Sequence, residues 1–287
     1  MEFAATSFKY SLPIDIIQGF IIDLKLKGCT DVTVKQYLND VAFYQRHLSK
    51  SILDVTVQDL RNYLIHLKIK HNHKNSSLAR KIAFLRTFYG FLTEHEILDE
   101  NPAKSIKFPK IKDAPIPFLS ERDIQRILRA TDNPRDRLII KIFFYEGLRL
   151  GELHRLAKKD INFTEGTILV HGKGDKQRII PLHEELSREL SKYSKSRHLE
   201  ERLFQIVKRQ IQEVVERAAA KVGIHCYPHL LRHSFSANLF KKTKNIWLVS
   251  KMLGHSKLET TVKYLRSLNV LDDFRDEYEE AFKGVLS

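Results

Sequence analysis

Between Asn101 and Pro117 the apolar periodicity that runs through the rest of the chain stops, and this break constrains the fold more than any other feature. Asn101-Pro102, Pro109, Pro115 and Pro117 alternate there with Lys104, Lys107, Lys110 and Lys112. Proline lacks an amide donor and biases the preceding residue toward extended backbone, so neither a helix nor an interior strand continues through such a stretch. The chain therefore reads as two domains, residues 1–100 and 118–287, joined by a basic extended linker over residues 101–117. Its 287 residues and 43% hydrophobic content suffice for a core in each half. Two domains on such a strap have the means to close around an elongated polyanion as a clamp.

The first half reads as helices throughout residues 13–95. Ile14, Ile17, Ile21 and Leu24 recur at helical spacing, and Gly28 closes that segment. A second helix opens near Thr30 or Thr33 and places Val34, Leu38, Val41 and Leu48 on one face. Thr56 with Asp59 resembles a capping box opening a third helix, with Leu60, Leu64 and Leu67 inward. The fourth spans about Ser77 to Thr93 and buries Leu78, Ile82, Leu85, Phe88 and Leu92. Four short helices with tight connections predict a compact bundle. Arg80, Lys81 and Arg86 are expected away from the buried stripe of the fourth helix, as a cationic face for DNA phosphates or the major groove. A solvated face that merely keeps the bundle soluble has the same pattern.

The second half predicts an α+β domain. Ser120 is placed to cap a helix containing Ile124, Ile127 and Leu128, and a helix from Pro134 to Gly147 follows. Thr167 to His171 and Arg178 to Pro181 are short β-type runs flanking the turn Gly172-Lys173-Gly174-Asp175-Lys176-Gln177. Helices resume near Glu184. The expected class is mainly α with a small β-sheet.

Charge narrows the partner. A net charge of +14 points to a polyanion. Cys29 and Cys226 are far apart and lack zinc-site spacing, which fits a reducing compartment. Met1-Glu2-Phe3-Ala4-Ala5-Thr6 lacks the charged start and apolar run of a signal peptide, and no apolar stretch is long enough to span a bilayer. A cytoplasmic protein without a membrane partner is expected.

Metal-free transfer of a phosphodiester needs a nucleophile, cations for the equatorial oxygens and an acid for the leaving oxygen. Arginine suits the second task, because its planar fork makes two charge-assisted hydrogen bonds and never deprotonates. Arg149 follows the helix stop at Gly147, with a salt bridge to Glu152 as its purely structural alternative. His229 and Arg232 lie three residues apart and face the same way in the first turn after Pro228, where the helix dipole favours an anion. His233 points elsewhere and reads as packing support. Lys173 sits at a hairpin tip between two glycines, positioned to protonate a leaving alkoxide, with Lys176 competing across the turn. His255 follows the helix stop Gly254, and Tyr264 lies in the next helix. A phenol with a pKa of about 10 is only ~0.1% ionised at neutral pH, so a nucleophilic tyrosine needs a base or a cationic pocket.

In this order, Arg149, Lys173, His229-x-x-Arg232, Leu253-Gly254-His255 and Tyr264 closely resemble the catalytic set of the tyrosine recombinases, Xer-like members above all. Tyr89-Gly90-Phe91-Leu92 and Asn101-Pro102-Ala103 extend the resemblance, which covers roughly residues 13–268. It implies an N-terminal four-helix core-binding (SAM-like) domain followed by an α+β catalytic domain. It also implies site-specific cutting and rejoining of double-stranded DNA, such as the resolution of chromosome or plasmid multimers. Tyr264 would form a 3′-phosphotyrosyl link, Arg149 and Arg232 would hold the phosphate oxygens, and Lys173 would protonate the leaving oxygen. His229 and His255 would assist, and no metal, ATP or other cofactor would be needed. The acidic amphipathic tail, residues 270–287, contrasts with the basic remainder and suits a protein surface. The resemblance suggests docking on a neighbouring subunit in a tetramer on two DNA sites, with docking on its own domain as the alternative. A type IB topoisomerase uses a similar residue set, and a catalytically silent DNA-binding protein shares the charge. A covalent adduct separates the last from an enzyme.

Overall fold

The computed structural model of the chain describes residues 12–111, 117–172 and 176–265, the last three of them by their helical backbone alone. The chain divides into two units, Met1–Asp113 and Ala114–Ser287. The described part of the first unit holds four α-helices: α1 (Ile14–Leu26), α2 (Asp31–Gln45), α3 (Val57–Ile69) and α4 (Asn75–Glu94).

Local chemistry sets their ends. After α1, Gly28 takes a left-handed φ of 76°, and its N–H and that of Cys29 return to the carbonyls of Lys25 and Leu24. At α3 the Thr56 hydroxyl accepts the Asp59 N–H while the Asp59 carboxylate accepts the Thr56 N–H, a full capping box. Helix α4 runs through the core and buries Leu78, Ile82, Leu85, Phe88 and Leu92, with Phe84, Tyr89 and Phe91 beside them. Phe20 of α1 meets Phe88 edge-on at 5.1 Å. The Tyr44 and Tyr89 hydroxyls pair at 3.0 Å and Tyr89 donates onward to the Ile52 carbonyl, so both buried phenols are satisfied.

The cationic face expected on α4 is corrected by this packing. Lys81 is only 6% exposed. Its ammonium donates to Asp40 of α2 at 2.8 Å and lies 4.4 Å from the centre of the Phe43 ring, so it is a core cation rather than a DNA contact. Arg80 forks onto the same Asp40 carboxylate, although half of its side chain stays exposed. Burial alone would raise the Asp40 pKa, and the bonds from Arg80 and Lys81 outweigh it and lower it. Arg86 donates to the carbonyls of Lys104 and Ile106 and covers the Phe108 ring at 4.6 Å. It fastens the chain that leaves the bundle.

The expected linker is likewise divided. Ala103 and Ile106 are buried in the bundle core, Asn101 caps the turn that holds them, and Asn75 donates to the Lys110 carbonyl. Residues 101–111 therefore belong to the first unit rather than forming a free strap; Lys104, Lys107 and Lys110 point to solvent.

In the second unit, α5 (Glu121–Arg129), α6 (Pro134–Tyr145) and α7 (Leu150–Arg155) precede a sheet of β1 (Ile161–Asn162), β2 (Thr167–His171) and β3 (Gln177–Pro181). Helices α8 (Glu184–Tyr193), α9 (Lys208–Ala220), α10 (Pro228–Thr243), α11 (Ile246–Leu253) and α12 (Leu258–Leu265) follow. Among the described residues the sheet has three antiparallel strands in the order β1-β2-β3. Strand β1 is two residues long, too short to leave a periodic signal in the sequence. Ile168 pairs with Ile180 and Val170 with Arg178, and the pleat puts all four on the face toward the core. Helix α10 has no wet side over its middle: Leu231, Ser234, Phe235, Ser236 and Ala237 are all buried, and the two hydroxyls donate to α10's own carbonyls. Helices α6, α11 and α12 pack around it. No helix among the described residues is long and apolar enough to cross a membrane.

The buried Asp40–Lys81 pair generates a prediction. Asp40→Ala leaves an ammonium in the core without its counter-charge and should destabilise the first unit by about 3–5 kcal/mol in urea melts. The double substitution Asp40→Leu with Lys81→Met should recover most of that loss. A neutral single substitution would show that the pair is not sealed from water.

Candidate active site

Four chain segments of the second unit converge on one buried carboxylate, that of Glu152. The first begins where α6 ends: Gly147 takes φ 61°, and a Cβ there would stand 2.3 Å from the Phe235 ring, so only glycine fits the turn. Arg149 is then the N-cap of α7 and Glu152 its third residue. The Glu152 carboxylate accepts the Arg149 backbone N–H at 2.8 Å and the Arg149 guanidinium at 2.8 Å. The salt bridge considered as the structural alternative for Arg149 thus forms, and it also aims the guanidinium, which remains 41% exposed.

The second segment is β3. Arg178 sits on its core face and makes a bidentate pair with Glu152 at 3.0 and 2.9 Å, while its Nε donates to the Met252 carbonyl at 2.9 Å. The third is the start of α10, opened by Pro228. Arg232, 1% exposed, donates to the carbonyls of Gly147 and Leu253 and stands 3.7 Å from Glu152. The fourth is the end of α11. Gly254 takes φ 64° against the Arg178 side chain, where a Cβ would come within 2.8 Å. Its neighbour His255 presents Nε2 to Arg232 at 3.5 Å and Nδ1 to the Thr261 hydroxyl at 2.9 Å. Thr261 is fully buried in α12, one turn before Tyr264.

The electrostatics follow from this geometry. Among the described residues, three guanidiniums face Glu152, and the C-terminal carbonyls of α11 add their partial negative charge. Burial would raise the Glu152 pKa, but the hydrogen bonds from Arg178 and from the Arg149 backbone prevail and hold it at about 2. One carboxylate does not neutralise three guanidiniums, so the cluster keeps a net positive charge suited to a phosphate. The histidines register the same field. His255 is lowered to about 4 by burial first and then by Arg232, Arg149 and Arg178. His233 is lowered to about 3 by burial, then by His229 and Arg232. His229 is also lowered, by desolvation and the two arginines. All three imidazoles are therefore neutral at pH 7, able to accept a proton when an anion arrives.

Of the residues singled out from the sequence, Arg149, Arg232 and His255 meet at Glu152, and His229 stands in the first turn of α10 with its ring 4.7 Å from His233. His233 is buried behind it. Lys173 lies outside the described residues. Its hairpin is closed at the base by the Gly172 N–H bonding the Lys176 carbonyl at 2.7 Å and by Arg155 bonding the His171 carbonyl. Tyr264 is described by its helical backbone only, and the tail over residues 270–287 falls outside the described residues.

Sequence reasoning missed Arg178 altogether and saw Glu152 only as a partner of Arg149. The signal for Arg178 was its parity with Ile180: in a two-residue repeat they share a face, so an arginine there enters the core and needs a buried acid.

Comparison with known proteins agrees with this architecture. Residues 117–269 match the Phage integrase family, and residues 17–96 match the phage integrase N-terminal SAM-like domain. A tyrosine recombinase of Pseudothermotoga lettingae is 35% identical over 265 residues, covering 87% of this chain and 93% of the relative. Tyrosine recombinase XerA of Pyrococcus horikoshii is 30% identical over 263 residues, covering 88% of this chain and 89% of the relative. A lambda integrase dimer bound to a COC′ core site has the same fold at TM-score 0.75 and 17% identity, over 90% of this chain and 78% of that one. The chain belongs to the phage integrase family of tyrosine recombinases.

Glu152→Gln keeps the shape and one acceptor but strands three guanidiniums, so it should cost about 3–5 kcal/mol. Because the Glu152 pKa is depressed when folded, its stabilisation is present above the unfolded value near 4.5 and lost as pH falls toward about 2. Denaturant melts should show a larger acid loss in the wild type than in the variant, which keeps only the contributions of other depressed carboxylates such as Asp40 and Asp59. Equal stability of the two at pH 7 would remove Glu152 from its organising role.

Proposed function

We infer that the chain is a site-specific recombinase that cuts and rejoins double-stranded DNA through a covalent phosphotyrosine. The observation that supports it most directly is the convergence of Arg149, Arg232 and His255 at the Glu152 cluster, with the Thr261 hydroxyl tying His255 to the helix that contains Tyr264. In this reading the two arginines hold the non-bridging oxygens of the scissile phosphate and offset the charge that develops on them. The cationic field lowers the cost of ionising Tyr264, whose oxygen attacks phosphorus. The bond from phosphorus to the 5′ oxygen breaks, leaving a 3′-phosphotyrosine, and Lys173 supplies the proton to the departing oxygen. His255 and His229, neutral before DNA binds, take up or relay protons around the phosphate. A 5′-hydroxyl from a partner strand reverses the steps. The phosphotyrosyl bond conserves the energy of the phosphodiester, so no ATP, metal or other cofactor is required.

On the first unit, Arg80 and Arg86 remain proposed phosphate contacts, because half of the Arg80 side chain is exposed and Arg86 is only partly buried, whereas Lys81 is sealed in the core. The wider assignment is cytoplasmic resolution of chromosome or plasmid multimers, serving chromosome partition at cell division. It rests on the Xer names of the relatives. The oligomer is a tetramer on two DNA sites, with the acidic tail over residues 270–287 docked on a neighbouring subunit.

Two experiments test this reading. On a nicked suicide duplex containing the segment the protein protects, the wild type should form an adduct that survives denaturing gels. Tyr264→Phe should abolish it while retaining DNA binding, and Arg232→Ala should reduce it by about a hundredfold or more. An adduct that persists in Tyr264→Phe overturns the nucleophile assignment, and binding with no adduct from the wild type makes the chain a silent binder. Removing residues 270–287 should preserve single-site binding and abolish synapsis of two sites; unchanged recombination would refute the tail's role between subunits.

A further inference from the structure

The first unit contains a cluster that DNA chemistry leaves unused. His47 follows the end of α2, His66 lies in the last turn of α3, and His71 stands in the connection from α3 to α4. One ring nitrogen from each lies within 4.8 Å of the other two. The three rings sit at centroid distances of 5.5, 5.6 and 5.3 Å and are inclined to one another by 69°, 70° and 55°. The rings are inclined to one another instead of stacked, with one nitrogen of each brought together.

We propose that His47, His66 and His71 form a binding site for a late first-row divalent cation, with zinc as its natural occupant.

Local structure prepares each ligand. His47 Nδ1 bonds the Phe43 carbonyl at 2.7 Å, which fixes the proton on Nδ1 and turns Nε2 into the acceptor. Carbonyl anchoring of this kind is how metal-ligating histidines are usually oriented. His71 is brought back over α3 by a tight reversal: Asn72 takes a left-handed φ of 48°, and the His73 N–H returns to the Leu67 carbonyl at 3.2 Å. His66 stands in the last turn of α3, partly buried, with its ring 5.5 Å from that of His47 and 5.3 Å from that of His71.

The adjoining cavity, about 470 Å³, is lined by His47, His66, Arg46, Lys50 and Asp59. Asp59 is ionised there, its pKa held at about 2 by bonds from Thr56 and Lys50. Lys50 is already paired with it at 3.0 Å, so the cavity itself, open to solvent beside His47 and His66, is where a water would complete a tetrahedron. Zinc–nitrogen bonds of about 2.0–2.1 Å put tetrahedral ligands roughly 3.4 Å apart, so the rings must draw together by rotation of side chains that are half-buried or exposed. Imidazole donors without thiolate favour zinc, nickel, cobalt or copper over magnesium or calcium. A bound ion would pin the end of α2, the end of α3 and the connection to α4, none of which is otherwise cross-linked covalently. Its binding energy would add to the stability of the bundle.

The test uses the full chain carrying no polyhistidine tag. Cobalt(II) should produce visible d–d absorption that saturates at one equivalent per chain, and zinc should displace it. His66→Asn and His71→Asn should each weaken zinc binding by about tenfold or more in calorimetric titration and lose the zinc-dependent rise in melting temperature. His198→Asn, an exposed histidine of the second unit, should leave both unchanged. Absence of saturable binding by the folded wild type overturns the site, as does binding that survives both substitutions.

Discussion

The catalytic unit depends on the burial of one carboxylate among guanidiniums. Glu152 is 4% exposed, and an isolated acid at that depth would be protonated or would unfold its surroundings. Arg149, Arg178 and Arg232 reach it from α7, β3 and α10, so one charge ties together elements distant in sequence. The carbonyls of Gly147, Met252 and Leu253 accept further bonds from Arg178 and Arg232 and hold those two forks in place. Two glycines with left-handed backbone, Gly147 and Gly254, bring those carbonyls close enough to do so. These guanidiniums are positioned by the fold itself, which is the condition for electrostatic stabilisation without reorganisation.

The same physics makes the histidines responsive. Three imidazoles lie in a field with more cations than anions, and each is pushed below its ordinary pKa. A phosphodiester's single negative charge would offset part of that field, while the burial that lowers all three most would remain. The bundle solves a related problem differently: Asp40 neutralises Lys81 inside the core and shares Arg80 at the surface.

Where the sequence was legible, a short-range rule was at work. The capping boxes at Thr56 and Ser120, the proline-opened helices α6 and α10, and the hairpin of β2 and β3 each depend on residues within a few positions of one another. Where it was not, the deciding partner lay far along the chain. Lys81 looks like a surface cation until Asp40, 41 residues away, draws it inward. The lysine-rich stretch after Asn101 looks free until Ala103 and Ile106 are seen to fill the bundle core. Strand β1 is two residues long and exists only because β2 offers it a ladder.

The sequence by itself determined the class of protein, because family-specific residues such as Arg149, His229-x-x-Arg232 and His255 occur in a fixed order, and order survives in a linear string. It also determined the helical periods and the hairpin of β2 and β3, which are properties of neighbours. Only the tertiary structure decided that Arg178 belongs to the site, that Glu152 organises it, and that His47, His66 and His71 meet at the edge of the bundle. The reason is physical. The cost of burying a charge, and the meeting of three imidazoles, are set by distances between segments that sequence spacing does not encode.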